Sequence, residues 1–167
     1  MNEYSRLLAK LRSGSYEPKN SRSLGAVADG IVFPVGELFS ENGRVRGEGY
    51  AVRPKSGLFV RGVTLSAPDN AVVTDISERE GTIKLRNGDG IALEVVVGLT
   101  DVKWNTAVGC KLRRGDVICT LMRSDAEQNE LSGAFAVLFS APEQITELHI
   151  PSAKRRAGEA AAFYRVR

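Results

Sequence analysis

The chain has 167 residues with a formal net charge of +3, and 43% of its residues are apolar. This length predicts one domain with extensions, and no run is long and apolar enough to form a membrane-spanning helix. Two cysteines are too few for a disulfide scaffold, which favours a reducing cytoplasm. The single histidine excludes a two-histidine metal site, and we expect neither a metal nor another cofactor.

The basic charge is concentrated at both ends of the chain. Residues 1–25 and 152–167 each carry an excess of Lys and Arg, so the region between them is mildly acidic. That region also lacks the interleaved aromatic and basic residues of a surface that stacks single-stranded nucleic acid. Charged ends of this kind are usually solvated, and we therefore expect no nucleic-acid binding.

The first 25 residues predict an amphipathic helix followed by a linker. Apolar residues from Tyr4 to Leu11 recur at helical spacing, with cationic residues outside the apolar face. We favour a helix that packs on the domain; the alternative is weak peripheral contact of residues 2–12 with anionic lipid. Residues 13–24 are polar and rich in serine, which is typical of a linker.

Glycine turns separate short runs of Val, Ile and Leu across residues 26–150, which predicts an all-β sandwich or barrel. The clearest hairpin joins Thr82–Arg86 to Ile91–Val97 through Asn87–Gly90, because Asn and Gly supply the positive φ angles that a tight connection needs. The first arm alternates apolar and polar residues, as a half-buried strand does. The second arm is almost continuously apolar, which predicts burial on both faces.

The remaining elements in chain order are a corner, a strand and a C-terminal helix. Residues Val108–Ile118 contain two glycine turns that carry a chain around a sheet corner, and Gly133–Phe139 predicts a buried strand. The two cysteines near this corner are expected to be small core or edge residues, since no CxxC spacing or neighbouring histidine activates them. Residues 151–167 are basic and rich in alanine, and we predict a helix or tail that docks through Phe163 and Tyr164.

Four short motifs precede the hairpin in a fixed order. They are a strand that ends in a proline (Gly30–Pro34), a Phe-Ser-Glu element (Phe39–Glu41), a Gly-x-Gly stretch (Gly47–Pro54) and an Ala-Pro step (Ala67–Pro68). The hairpin, the Gly98-Leu99 pair and the two glycine turns complete the series. This order resembles the glucose-family IIA component of the bacterial sugar phosphotransferase system. The resemblance implies an all-β, IIA-like β-sandwich or barrel (the duplicated hybrid motif) with short terminal helices.

The resemblance also implies a site from which the chemistry has been lost. The family transfers a phosphoryl group through one histidine that is assisted by a second, and Gly81 and Val96 stand at these two positions. Arg79 replaces an assisting threonine, and Asp101 lies near an acidic position that follows the Gly-Leu pair. Phosphoryl transfer needs a nitrogen nucleophile in line with the phosphorus atom, and neither glycine nor valine supplies one.

Three functions remain open from the sequence. We favour a catalytically degenerate IIA-like domain in sugar transport, which binds or regulates a protein partner through a face that carries Gly81, Val96, Arg79 and Asp101. The resemblance implies a phosphocarrier protein, a permease or a metabolic regulator as partner, and a cytoplasmic location. The first alternative is an active phosphotransferase whose acceptor is displaced to His149, and the second is a structural β-sandwich unrelated to sugar transport.

Overall fold

The computed structural model describes residues 21–38, 47–54 and 62–167. The helix predicted for residues 2–12 and the Phe39–Glu41 element lie outside the described residues. Most of the described chain is strand, which confirms the predicted all-β class. No helix within the described ranges is long and apolar enough to cross a membrane.

Thirteen strands, one short helix and one 3₁₀ turn have both ends within the described residues. The strands are β1 Arg22–Gly25, β2 Gly30–Pro34, β3 Glu48–Pro54, β4 Gly62–Ser66, β5 Ala71–Ser77, β6 Thr82–Asn87, β7 Ala92–Val96, β8 Lys111–Leu112, β9 Val117–Met122, β10 Phe135–Phe139, β11 Ile145–His149, β12 Ala153–Arg155 and β13 Ala160–Val166. The helix α1 covers Arg123–Glu127, and a single 3₁₀ turn covers Pro142–Gln144.

The strands form three antiparallel sheets. The largest has eight strands in the order β12-β2-β3-β10-β7-β6-β5-β8, and β1-β13-β11 and β4-β9 form two smaller sheets. The predicted hairpin is confirmed as β6 and β7, with Thr82 opposite Val96. Its turn is held by Asn87, whose side-chain oxygen accepts the backbone N–H groups of Asp89 at 3.0 Å and Ile91 at 2.9 Å.

Two apolar clusters lie on opposite faces of the eight-stranded sheet. Side chains alternate between the two faces of a strand, so β10 sends Phe135, Val137 and Phe139 into the main core and Ala136 and Leu138 to the other face. We call the smaller set the outer cluster; its buried members are Phe33, Val35, Leu38, Ala51, Leu131, Ala134, Ala136 and Leu138.

The second arm of the hairpin is not buried on both faces as its sequence predicts. Leu93 and Val95 point into the main core and are fully buried, but Ala92, Glu94 and Val96 are only half-buried. The reason is that the outer cluster covers the sheet less completely than the main core does. The outward side of β7 is therefore partly open to solvent.

The prediction of a helix in residues 151–167 is wrong. This segment forms β12 and β13, and β13 is the central strand of the three-stranded sheet, between β1 and β11. Pairing on both sides outweighs the helical preference of its alanines, because it buries Phe163 and Tyr164 and satisfies the backbone. The end of the predicted linker is also strand, since Arg22 pairs with Tyr164 in β1.

Candidate functional site

The structure brings the four predicted site residues together at one end of the β6–β7 hairpin. Gly81 directly precedes β6, and its carbonyl accepts the N–H of Val97 at 3.0 Å, one residue beyond Val96. The carbonyl of Arg79 lies 3.4 Å from the backbone nitrogen of Asp101, which donates to it. The turn between β5 and β6 therefore packs against the chain that leaves β7.

Gly81 is a position that no side chain fits. Its φ is +67°, in the left-handed region that favours glycine. A Cβ added there would lie 2.1 Å from the carbonyl oxygen of Leu99 and 3.1 Å from a methyl group of Val102. The Val102 N–H also donates to the Glu78 carbonyl at 2.8 Å, so the two backbone segments are tied together where they approach. The close approach of two backbones explains the glycine.

Val96 lies on the outward face of β7 and packs against the outer cluster. It stands opposite Thr82 on one neighbouring strand and opposite Ala136 on the other. Its side chain is only half-buried, so the outer cluster does not cover it. We call the surface formed by Val96, Thr82 and the adjoining part of the outer cluster the outer face. Its accessible part is formed by the half-buried side chains of Val96 and Thr82, and the outer-cluster residues beside them are buried.

Charged groups border the outer face. Arg79 and Asp101 are exposed at one end, where Lys103 also forms an exposed ion pair with Glu78 at 3.1 Å. Glu94 points outward two residues before Val96 and is half-buried. Burial raises the pKa of this carboxyl; Lys84 opposes the rise, and the nearby carboxylates Glu80 and Asp75 add to it. An apolar centre with charged surroundings is a common arrangement of protein interfaces.

Asn129 holds the loop that completes the outer cluster. Its side-chain nitrogen donates to the carbonyls of Val97 at 2.8 Å and Ala134 at 2.7 Å. Its side-chain oxygen accepts the N–H groups of Leu131 at 3.1 Å and Gly133 at 2.8 Å. The buried amide thus fixes Leu131 and Ala134 against the end of β7.

Arg53 ties the same loop to the other side of the outer cluster. Its guanidinium lies 5.2 Å from the centre of the Phe33 ring, and its Nε donates to the carbonyl of Ser132 at 3.2 Å. Sequence reasoning found neither Arg53 nor Asn129, because Asn129 lies in a polar run that predicts only a loop. Glu94 had a visible signal, as the one charged residue in an apolar strand.

No family model matches the sequence, and no curated protein matches it either. The structure is similar to the solved structure of glucose permease IIA from Mycoplasma capricolum, with a TM-score of 0.66 and 16% sequence identity. The match covers 87% of this chain and 96% of that chain. The chain has the IIA-like fold. The resemblance that the order of sequence motifs predicts is therefore confirmed for the fold, which is all that a likeness at this identity shows.

His149 lies elsewhere in the IIA-like fold. It is exposed on β11, in the three-stranded sheet, whereas Gly81 and Val96 belong to the eight-stranded sheet and its turn. Its ring lies beside Phe163, with 6.5 Å between the ring centres. Across the described ranges, no three His, Cys, Asp or Glu side chains are grouped so as to hold a metal ion. The structure does not bring the single histidine together with the four predicted residues.

Proposed function

We propose that this chain is a IIA-like module that binds another protein through its outer face and does not transfer phosphoryl groups. The observation that carries this proposal is the geometry at Gly81. The family resemblance assigns a histidine to this position, and a Cβ there would meet the Leu99 carbonyl oxygen at 2.1 Å. The backbone at this point has no space for any nucleophilic side chain.

The second position supports the same conclusion. Val96 offers an apolar side chain where the resemblance assigns the other histidine, and its neighbours Thr82 and Ala136 carry no nitrogen in their side chains. A phosphoryl acceptor at this face would need an uncharged nitrogen, together with donors for the three phosphoryl oxygens. The outer face supplies no such nitrogen, since the side chains of Val96, Thr82 and Ala136 have none and the guanidinium of Arg79 at its border stays charged.

The surface that remains is suited to contact with a protein. Val96 is half-buried and adjoins the outer cluster, and Arg79 and Asp101 stand exposed at its border. Protein interfaces commonly combine an apolar centre with a polar rim, and rim charges mainly affect the rate and specificity of association. We propose another protein of the sugar phosphotransferase system as the partner. A phosphocarrier protein is the first to test, followed by a permease or a metabolic regulator.

The absence of transfer is tested with a phosphocarrier protein that carries a radioactive phosphoryl group. We expect no acid-labile label on the wild-type chain. Label that appears on the wild type and is lost in His149→Ala would contradict the proposal and favour the displaced-acceptor alternative. Label that persists in His149→Ala would contradict both, because it would require an acceptor other than histidine.

Binding is tested by titrating the isotope-labelled chain with the unlabelled partner and following backbone amide shifts. We expect shifts at Thr82, Val96 and Asp101, and weaker binding for Arg79→Glu. Arg113→Glu is the matched control, since this exposed arginine lies in the turn after β8, at the far edge of the sheet. Equal affinities of the two variants would contradict the assigned face. Binding by none of the three partner classes would favour a structural β-sandwich unrelated to sugar transport.

A further inference from the structure

A cleft of about 950 Å³ lies at the β12 edge of the eight-stranded sheet, away from Val96 on β7. It opens where β12 and β2, four and three strands from β7, meet β4 of the two-stranded sheet. Small-molecule sites have volumes of roughly 300–1,000 Å³, so the cleft is large enough for a ligand bigger than an inorganic ion. Its floor and walls include Ala28, Pro54, Val63, Thr64 and Ser66.

The cleft has more cations than carboxylates. Lys154, Arg155 and Arg156 line it, and the two acidic residues are Asp29 and Glu159. Backbone groups already engage both acids: Asp29 accepts the N–H of Ala157 at 2.7 Å, and Glu159 accepts the N–H of Arg156 at 3.0 Å. Among the ion pairs of the described residues, none joins the three cations to a carboxylate. With three cations and two carboxylates, the part of the lining that the structure describes has an excess of one positive charge.

Arg155 is the cation that the fold positions most firmly. It is half-buried, its Nε donates to the carbonyl of Ala160 at 3.0 Å, and an Nη donates to the carbonyl of Lys154 at 3.0 Å. Two carbonyls thus fix the guanidinium plane without removing its charge. A guanidinium has five N–H donors in a planar fork that matches a phosphate or a carboxylate, and three of them remain after these two bonds. Charges removed from water are normally paired.

We propose that this cleft binds a small organic anion, whose phosphate or carboxylate group is held by Arg155. Lys154 and Arg156 increase the positive potential at the entrance, and the rest of the ligand lies along Pro54 and Val63. The site shares no residue with the outer face, so it does not depend on the function proposed above.

The proposal is tested with phenyl phosphate and citrate as probes, one for each anion type, measured by calorimetry and by amide shifts. We expect binding of at least one probe, with shifts at Gly30, Thr64 and Ala157. Arg155→Gln keeps side-chain donors for the two carbonyls but removes the charge, and should weaken binding about tenfold or more, because hydrogen bonds to charged groups contribute most. Arg155→Lys should retain part of the affinity. Arg86→Gln, an exposed residue on β6, should bind like the wild type.

Three outcomes would overturn the proposal. The first is an absence of binding by both probes, and the second is equal weakening in Arg155→Gln and Arg86→Gln, which would indicate general charge screening. The third is binding to vesicles of phosphatidylglycerol without binding to either soluble probe, since the charge would then serve a lipid surface. Thermal unfolding of each variant without ligand shows whether Arg155→Gln remains folded. If it is not folded, Arg156→Gln, which is exposed, replaces it with the same expected direction.

Discussion

Gly81 offers the sharpest test of the structure, because the cost of adding one carbon atom there can be estimated from its surroundings. Gly81→Ala places a Cβ 2.1 Å from the Leu99 carbonyl oxygen, closer than the 3.0 Å below which real Cβ contacts essentially do not occur. The two backbones would have to separate by about 0.9 Å in a region packed at the density of an organic crystal. This movement strains the bonds from Val97 to Gly81 and from Val102 to Glu78.

Two contributions add up in this variant. The left-handed φ of +67° costs an alanine roughly 1–2 kcal/mol. Overpacking of a well-filled site typically costs a further 1–3 kcal/mol. We therefore expect Gly81→Ala to lower the free energy of unfolding by about 2–5 kcal/mol, which corresponds to roughly 2–4 °C in Tm for each kcal/mol in a chain of this size.

Gly90→Ala separates the two contributions. Its φ is +76°, close to that of Gly81, but an added Cβ meets nothing within 4 Å. Urea unfolding of both variants should therefore give a loss of about 1–2 kcal/mol for Gly90→Ala and a clearly larger one for Gly81→Ala. If the two variants lose the same free energy, the close approach to Leu99 is not rigid, and the argument against a side chain at this position fails.

Three further measurements test the surroundings of the site. Asn129→Ala removes four hydrogen bonds to backbone groups, three of them buried, and should cost roughly 2–4 kcal/mol in urea unfolding, whereas Asn105→Ala, at an exposed position, should stay within about 0.5 kcal/mol of the wild type. Burial is the main cause of the raised pKa of Glu94, so the folded chain binds the proton of this carboxyl more tightly than the unfolded chain does. The stability that this proton contributes is fully present below the unfolded pKa and is lost as the pH rises through the folded pKa. Glu94→Gln should therefore gain stability relative to the wild type at pH 7 and not at pH 4; a gain of the same size at both would contradict this. A maleimide should label one thiol of the native chain at pH 8 and two in urea, because Cys110 is exposed whereas Cys119 is buried with its pKa raised to about 11.

The sequence predicts those parts of the fold that short-range patterns determine. The Asn-Gly turn and the alternation in Thr82–Arg86 specify the β6–β7 hairpin within one segment, and the order of motifs gave the fold that the comparison confirms. The prediction of a helix in residues 151–167 is wrong for a physical reason. Their alanines favour a helix locally, but β13 becomes a strand because β1, near the other end of the described chain, and β11, which precedes β12, offer it partners on each side.

The candidate site, like the fold, is predicted from the sequence only in part. The resemblance assigns the two family histidines to the positions of Gly81 and Val96, but the sequence does not show why Gly81 is a glycine, since the reason lies with the Leu99 carbonyl on another segment. It also misses Asn129, whose four partners come from two parts of the chain, Val97 after β7 and residues 131–134. The sequence also does not identify Arg155, because a basic residue near the end of a chain is usually solvated.

Gly81 and Val96 therefore differ in how firmly the structure excludes a histidine. At Val96 the strand geometry already directs a half-buried side chain onto the outer face, so the choice between valine and histidine is one of side-chain chemistry. At Gly81 the exclusion comes from the backbone, since any Cβ displaces the Leu99 segment. Histidines at both positions would require the β5–β6 turn to move away from the chain after β7. Because that contact also brings the backbone of Arg79 beside that of Asp101, the packing that leaves no room for a side chain at Gly81 also positions two residues of the proposed binding face.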